Sequence, residues 1–361
     1  MHHKFAFLMH PRHTVRSDMG ELFGAPFSLI PDRAWAAAFD RLALPPMVTG
    51  KIYFPGAPAE AAGLLITLPF TPVQMLTLPR ARIQAKLEAA VDKARDLGAR
   101  IVGLGALTAS VSAGGKTLAR RNDIGITNGN AFTAAMTLAG VERLLPHLPS
   151  DPLIAVVGAT GSVGSCLTRL FARRHSGRLL LVARNRGRLD VLAAETRRDD
   201  VAVEVSTQMD DVRRADLVVL LTSSSDSILK SEHLKRGAVV LDDTVPRNTD
   251  PSLLTARPDV LIVDGALVDV AGVDIRGAIG LPPRLAYACL AETMLLALDG
   301  HDGHFAIGAA AVDQAERMVA LADRWQELGF TLAPFRSFGR LIDPAVINNI
   351  GSHHEVVQCA A

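Results

Sequence analysis

Cysteine is scarce in this chain: Cys166, Cys289 and Cys359 are the three among 361 residues. An odd, sparse set excludes a disulfide framework and points to a reducing compartment. No Cys/His spacing fits a zinc site, so no metal is expected. Charge of one sign is missing too. Lys and Arg number 38 against 37 Asp and Glu, a net charge of +1. Such a chain carries no global field that would draw nucleic acid. Long apolar runs are absent. Nothing approaches the roughly 20 residues that cross a bilayer, so no integral membrane segment is expected. The apolar stretch Phe5–Met9 is stopped by Pro11 and Arg12, too soon for the core of a secretory signal. It reads as a first β-strand, and the chain as a cytoplasmic one. There is no internal repeat and no low-complexity segment.

What is present is ordinary globular material, 49% apolar and 21% charged. The length exceeds that at which one core stops growing, so two domains are expected. The clearest seam is Leu145-Pro-His-Leu-Pro-Ser-Asp-Pro152, because proline cannot continue a helix and biases its predecessor away from one. Before it, Phe5–Met9, Lys51–Phe54, Gly63–Phe70 and Ile101–Leu104 read as strands. Arg80–Leu97 reads as a helix, with Ile83, Leu87, Ala90, Val91, Ala94 and Leu97 at helical spacing and Gly98 as its stop. Thr133–Leu145 reads as another helix. After the seam, Leu153–Val157, Leu179–Val182, Val201–Val205, Leu217–Leu221, Ala238–Leu241 and Val260–Val263 are continuous apolar runs. Such runs are strands buried on both faces, as in a parallel sheet covered by helices. Helices are expected over Arg284–Asp299 and Ala311–Gln326. The fold class is α/β. A Rossmann dinucleotide-binding domain is expected over 149–282 and an α/β substrate domain over 1–148. Helices over 283–361 should pack back toward the N-terminal domain and complete a cleft.

Strand Leu153–Val157 runs straight into Gly158-Ala159-Thr160-Gly161-Ser162-Val163-Gly164, and a helix follows with Leu167, Leu170 and Phe171 inside. Strand, glycine turn and helix in that order make a phosphate-binding loop: glycine admits pyrophosphate to the amides, and the helix N-terminus adds partial positive charge. The second strand ends in Arg184-Asn185-Arg186, with Arg188 nearby. An NAD site would place Asp or Glu there. Arginine instead pairs with a 2′-phosphate, so NADPH is the expected cofactor. The fourth and fifth strands end in Thr222-Ser223-Ser-Ser-Asp226 and Asp242-Asp-Thr-Val-Pro246. By position these loops line the nicotinamide side; plain turn chemistry is an equal reading.

Cys289 lies in Arg284-Leu-Ala-Tyr-Ala-Cys289-Leu-Ala-Glu292-Thr-Met-Leu-Leu. On a continuous helix its stripe would hold Leu285, Glu292, Thr293 and Leu296. A thiol beside polar groups on a cleft wall suits a nucleophile, but on spacing alone a small core cysteine is the plainer reading. Cys166, in the first turn after the glycine loop, reads as packing against the sheet.

Five segments stand out together: Gly103-Leu-Gly-Ala-Leu-Thr108, Ile126-Thr-Asn-Gly-Asn130-Ala-Phe-Thr133, Ile154-Ala-Val-Val-Gly-Ala-Thr-Gly161, Ala183-Arg-Asn185 with Arg188-Leu, and Tyr287-Ala-Cys-Leu-Ala-Glu292-Thr-Met-Leu-Leu. In them, over roughly Lys51 to Phe330, the chain resembles the long-chain acyl-[acyl-carrier-protein] reductases. The cysteine helix and the Thr-Asn-Gly-Asn segment are the specific ones. The resemblance implies that Cys289 takes an acyl group as a thioester and that NADPH reduces it to an aldehyde. It makes Glu292, one turn on, a second catalytic candidate, and Thr108, Asn128 and Asn130 candidate donors to the developing oxyanion. It implies an acyl carrier protein or CoA thioester as substrate and allows an aldehyde-consuming partner. An acidic carrier would meet Lys116, Arg120 and Arg121, or the mixed-charge helix bearing Arg80, Arg82, Lys86, Lys93 and Arg95. The first fifty residues and the tail with Arg336-Ser-Phe-Gly-Arg340 and His353-His354 have no counterpart.

Two other classes remain open. One is an NADP-dependent dehydrogenase of a small amino or hydroxy acid with no covalent step. The other is a non-catalytic NADP-sensing protein. A glutamyl-tRNA reductase would need a cysteine in its N-terminal domain, and none precedes Cys166.

Overall fold

The apolar runs fold into two separate six-stranded sheets. The computed structural model describes residues 3–11, 15–42, 44–56, 60–222, 228–245 and 247–350. The chain divides into two units: Met1–Phe132, Val268–Gly308 and Arg317–Thr331 in the first, and Thr133–Leu267, Ala309–Glu316 and Leu332–Ala361 in the second. The proline-rich stretch at 145–152 lies within the second unit, not at a boundary. Its prolines stop the helix Asn130–Leu144 and turn the chain through Leu145–His147. The segment 283–361 is likewise shared between the units.

In the first unit, β1 (Phe5–Met9), β2 (Met47–Tyr53), β3 (Gly63–Thr67), β4 (Ile101–Leu104) and β5 (Gly125–Thr127) join the strand Asp274–Gly277. Their order is Asp274–Gly277, β2, β3, β1, β4, β5. β3, β1, β4 and β5 run parallel. β2 and Asp274–Gly277 close one edge antiparallel. β2 begins four residues before the expected Lys51, because pairing with β3 across a bulge at Val48/Gly50 extends it. β3 stops at Thr67, short of the expected Phe70, where Pro69 has no N–H to give the ladder.

The helix Arg80–Asp96 buries Ile83, Leu87, Ala90, Val91 and Ala94 in a cluster with Ala6, Leu8, Leu64, Ile66, Val102 and Leu104. Each large aliphatic side chain removed from water there stabilises by about 1.5–3 kcal/mol. Leu97, expected inside, is 41% exposed, because the helix ends before it and Gly98 turns away at φ 89°. A second helix, Ala288–Leu298, packs on β4 and β1. It is buried from Leu290 to Leu298 and apolar there except for Glu292 and Thr293, as a helix with no solvent face must largely be.

In the second unit, β6 (Leu153–Val157), β7 (Gly177–Val182), β8 (Val201–Ser206), β9 (Leu217–Leu220), β10 (Val239–Asp242) and β11 (Leu261–Asp264) form a sheet in the order β11, β10, β9, β6, β7, β8. Every pairing is parallel. The first strand is central, the next two lie to one side and the last three to the other. That is the doubly wound dinucleotide-binding order, and it puts the topological switch point between β6 and β9. All residues of β6, β9, β10 and β11 are buried. Among the described residues no helix is long and apolar enough to cross a membrane.

Candidate active site

The glycine loop opens at the switch point. Gly158 takes φ 88°, and a Cβ there would lie 2.7 Å from the Leu221 carbonyl. A Cβ on Gly164 would lie 2.4 Å from the Gly158 carbonyl, so the helix Ser162–Arg174 can start against the loop only without one. The Gly158 and Ala159 N–H groups donate to the Val182 carbonyl at 2.8 and 3.2 Å, and Gly161 N–H donates to Gly158 at 2.8 Å. These bonds shape the loop. The first-turn amides of such a helix have no intrahelical acceptor, an arrangement that suits a phosphate. Thr160 is half-buried and Gly161, the N-cap, is exposed. Cys166 is buried as expected, its Sγ 3.6 Å from the Ala311 carbonyl.

Past β7, Arg184 is exposed. Asn185 caps the helix Arg186–Thr196, its side chain accepting from Arg188 N–H at 3.0 Å. The Arg188 guanidinium donates to the Thr160 carbonyl at 2.7 Å. Arg188 thus braces the glycine loop from the second βα unit. Loop, helix end and arginines together fit NADP(H). On the other side of the switch point, the Thr222 hydroxyl bonds Asn248 Oδ1. Ser223 lies outside the described residues.

In the first unit, Cys289 occupies a place that its stripe alone does not reveal. The helix does not run from Arg284. Arg284 has φ 70°, Leu285–Tyr287 is extended, and the helix begins at Ala288. Cys289 is therefore a first-turn residue, Leu285 is not its helical neighbour, and the helix N-terminus lies at the thiol. That partial positive charge favours a thiolate by about 0.3–2 kcal/mol.

Gly129, just past β5, presses against this thiol. At φ 77°, a Cβ on it would lie 2.2 Å from Cys289 Cβ. The segment carrying it is tied down by Glu292. One Glu292 oxygen accepts from the Thr127 hydroxyl, the other from Phe132 N–H at 2.8 Å, and the N–H groups of Gly129 and Ala131 also bond the carboxyl. Glu292 so serves as a long-range cap for the helix Asn130–Leu144. This is why that helix starts three residues before the expected Thr133. Burial pushes the Glu292 carboxyl up to about 7, against the lowering effect of these bonds. Near neutrality it is partly uncharged, which relieves the repulsion a carboxylate would exert on a thiolate one turn away.

Two of the expected oxyanion donors, Thr108 and Asn128, bond backbone carbonyls. The Thr108 hydroxyl donates to the Gly105 carbonyl at 2.7 Å. The Asn128 amide donates to the Gly114 and Gly308 carbonyls, both at 3.0 Å, and its oxygen accepts from Asn130 N–H at 3.0 Å. The two side chains hold loops. Several docking charges are also engaged. Arg82 pairs with Asp40, Arg95 with Asp123, and Arg121 with Asp92 and Asp123. Lys116 and Arg120 are exposed.

The model of the shikimate / quinate 5-dehydrogenase family matches residues 142–264, the part that holds the parallel sheet. Aminotransferase PigE of Serratia sp. is 26% identical over 311 residues, 82% of this chain and 36% of that protein. The long-chain acyl-[acyl-carrier-protein] reductase of Synechococcus elongatus is 30% identical over 215 residues, 56% of this chain and 61% of that protein. The chain thus spans between about one third and three fifths of the length of these relatives. Among solved structures, the D-arabinose dehydrogenase from Sulfolobus solfataricus superposes with TM-score 0.29 at 11% identity, covering 55% of this chain and 50% of that one. The YhdH oxidoreductase from Salmonella enterica, in complex with NADP, gives TM-score 0.28 at 16% identity, covering 37% and 43%.

Proposed function

We propose that this protein is an NADPH-dependent oxidoreductase that reduces an acyl thioester to an aldehyde through an acyl group held on Cys289. The observation that carries the reading is the cysteine in the first turn of a buried helix, with Gly129 against it and Glu292 fixing the segment that bears Gly129. A structural core cysteine needs none of these. The similarity to the acyl-[acyl-carrier-protein] reductase supports the substrate class.

The Cys289 thiolate attacks the thioester carbonyl. A new C–S bond forms, the old one breaks, and the departing thiolate takes up the proton that Cys289 gave up. One thioester replaces another, so the step needs positioning more than driving force. First-turn amides of the cysteine helix receive the developing oxyanion. Glu292 is a positioning residue: both its oxygens are spent on the Thr127–Phe132 segment. Gly158 to Gly164 and the helix after them would hold the pyrophosphate, and Arg184 would hold the 2′-phosphate. NADPH, when bound there, supplies the hydride that converts the acyl carbon to an aldehyde. Cys289 then leaves as thiolate, ready for another acyl group. Of the cluster Lys116, Arg120 and Arg121, Lys116 and Arg120 are the charges left for an acidic carrier.

The test is the mass of the intact protein after incubation with acyl-carrier and acyl-CoA thioesters without NADPH. An adduct that maps to Cys289 and is discharged as aldehyde on adding NADPH is expected, with none in Cys289→Ala. The family match at 142–264 favours one other reading, a dehydrogenase of a small acid with no covalent step. A fully active Cys289→Ala enzyme and no adduct at any chain length would establish that reading instead.

A further inference from the structure

β5 is the last strand of its sheet, and a loop closes its outer edge. Residues 303–308 run beside it. Phe305 N–H donates to the Ile126 carbonyl at 3.0 Å, and Asn128 N–H donates to the Ala306 carbonyl at 3.0 Å. Ala306 N–H donates to the Thr127 hydroxyl at 3.3 Å. Gly125 admits this close approach, since a Cβ on it would lie 2.3 Å from the Gly303 carbonyl. Covering an edge with a loop satisfies groups that no further strand pairs.

One rung of this edge is different. Ile126 N–H donates not to a carbonyl but to Nδ1 of His304, at 3.1 Å. The other ring nitrogen, Nε2, lies 3.2 Å from the Ala119 carbonyl. These partners assign the tautomer. An amide N–H only donates and a carbonyl only accepts, so Nδ1 is bare and Nε2 carries the hydrogen. A carbonyl in the place of Nδ1 would accept at any pH. An imidazole that takes up a proton instead turns Nδ1 into a donor facing a donor, and the rung is lost. Histidine is the side chain that makes this change between pH 5 and 8. His304 is half-buried, so solvent can deliver the proton.

The rung adjoins the support of the thiol. After Ile126 come Thr127, Asn128 and Gly129, and Gly129 presses on Cys289. Glu292 holds that segment from the cysteine helix. His304 holds it from the outer edge. The charges around His304 are engaged with one another or exposed. Asp302 meets Arg100 at 3.1 Å and His3 at 3.7 Å. Asp299 meets Arg317 at 3.2 Å and Arg324 at 2.5 Å. Beside Ala119, Lys116 and Arg120 are exposed, and Arg121 pairs with Asp92 and Asp123. His301 Nε2 donates to the His304 carbonyl at 3.3 Å, and burial, with the Arg317 charge, disfavours its protonation.

We propose that His304 is a positioning residue for acyl transfer: its neutral imidazole holds the segment that sets Gly129 against Cys289, and protonation releases it. The inference rests on the acyl-transfer reading above. It adds an acid limit that lies outside the reacting groups.

Two readouts from pH 8 to pH 5 test it. One is hydrogen exchange at the Ile126 amide, taken as protection relative to Ile66 in β3. The other is the rate at which a panel of acyl-CoA thioesters acylates Cys289, divided by the thiolate fraction read from ultraviolet absorbance against Cys289→Ala. In the wild type both should fall about fivefold to tenfold toward pH 5, the worth of one hydrogen bond. His304→Asn puts an amide oxygen near the place of Nδ1 and cannot titrate. It should match the wild type at pH 8 and show no fall. His304→Ala should show at pH 8 the values of the wild type at pH 5. NADPH binding should be alike in all three. Glu292, raised by burial, titrates in each protein and cancels in the comparison. His304→Ala with the wild-type rate and pH profile would overturn the proposal. So would a wild-type Ile126 amide whose protection does not change with pH, or an acid fall that persists in His304→Asn. If no thioester acylates the wild type at any pH, the acyl-transfer reading itself falls and takes this role with it, even where the exchange step is seen.

Discussion

Gly129 and Cys289 meet so closely that one methyl group decides the geometry of the thiol. A Cβ on Gly129 would lie 2.2 Å from Cys289 Cβ and 2.5 Å from its Cα, at a φ of 77° that L side chains rarely adopt. Neither neighbour can yield cheaply, because one is helix backbone and the other segment is bound through Glu292. Gly129→Ala should cost at least about 1–3 kcal/mol in backbone strain alone, and acyl transfer to Cys289 should fall by about 100-fold. NADPH binding, which belongs to other residues, should be unchanged. The check is adduct formation followed by mass alongside NADPH titration. A variant that acylates at the wild-type rate would show that the thiol tolerates displacement and that its contact with Gly129 is mere packing. Before the structure, Gly129 is one glycine among 29. Its role comes from a residue 160 positions away, a relation that local periodicity cannot express.

At the scale of elements, the second unit was the more legible. Its strands are continuous apolar runs, and each expected strand is present with ends shifted by one or two residues. Burial on both faces leaves a parallel strand no freedom in composition. The cysteine helix was less legible, since Leu-Ala-Tyr-Ala-Cys-Leu-Ala has helical propensity throughout, yet Leu285–Tyr287 is extended. Tertiary pairing overrode propensity there, and the shift of start put Cys289 at a helix end. The arginines at the second βα turn show the same point. Arg184 and Arg188 look alike in sequence, but Arg188 is bonded to Thr160 in the glycine loop and Arg184 stands exposed. Arg184→Ala should weaken NADPH about 10- to 100-fold, the worth of a charge-assisted bond, and leave NADH unaffected. Arg188→Ala should weaken both cofactors together, because it loosens the loop that holds their shared pyrophosphate. Paired titrations with the two cofactors separate these outcomes. Equal losses of NADPH and NADH in Arg184→Ala would remove the 2′-phosphate from its account.

For the molecule as a whole, two buried acids oppose the paired surface carboxylates and set where on the pH scale it is most stable. Asp243 and Glu292 are pushed up to about 8 and about 7, in each case by burial first. In the unfolded chain both release their protons near pH 4. Between those limits the folded state binds more protons than the unfolded one, so stability is full below about pH 4 and is lost as pH rises through 7 and 8. Carboxylates held low act in the other direction. Asp259 is drawn down to about 2 by the Arg257 guanidinium, and Asp123 lies well below its ordinary range beside Arg121 and Arg95. Their contribution is present above about pH 4 and is lost as pH falls through their folded values. Solvent screening keeps the contribution of these surface pairs small. Stability should therefore peak in mildly acid solution and decline toward pH 9, and thermal melting across that range reads the slope. Asp243→Asn cannot ionise and should flatten the alkaline decline, chiefly between pH 6 and 8. Its donor from Thr137 can still be met by the amide oxygen, so the fold need not suffer. A melting temperature that falls as steeply in Asp243→Asn as in the wild type would mean that Asp243 is ionised in the folded protein. The carboxyl would then be satisfied by donors other than Thr137.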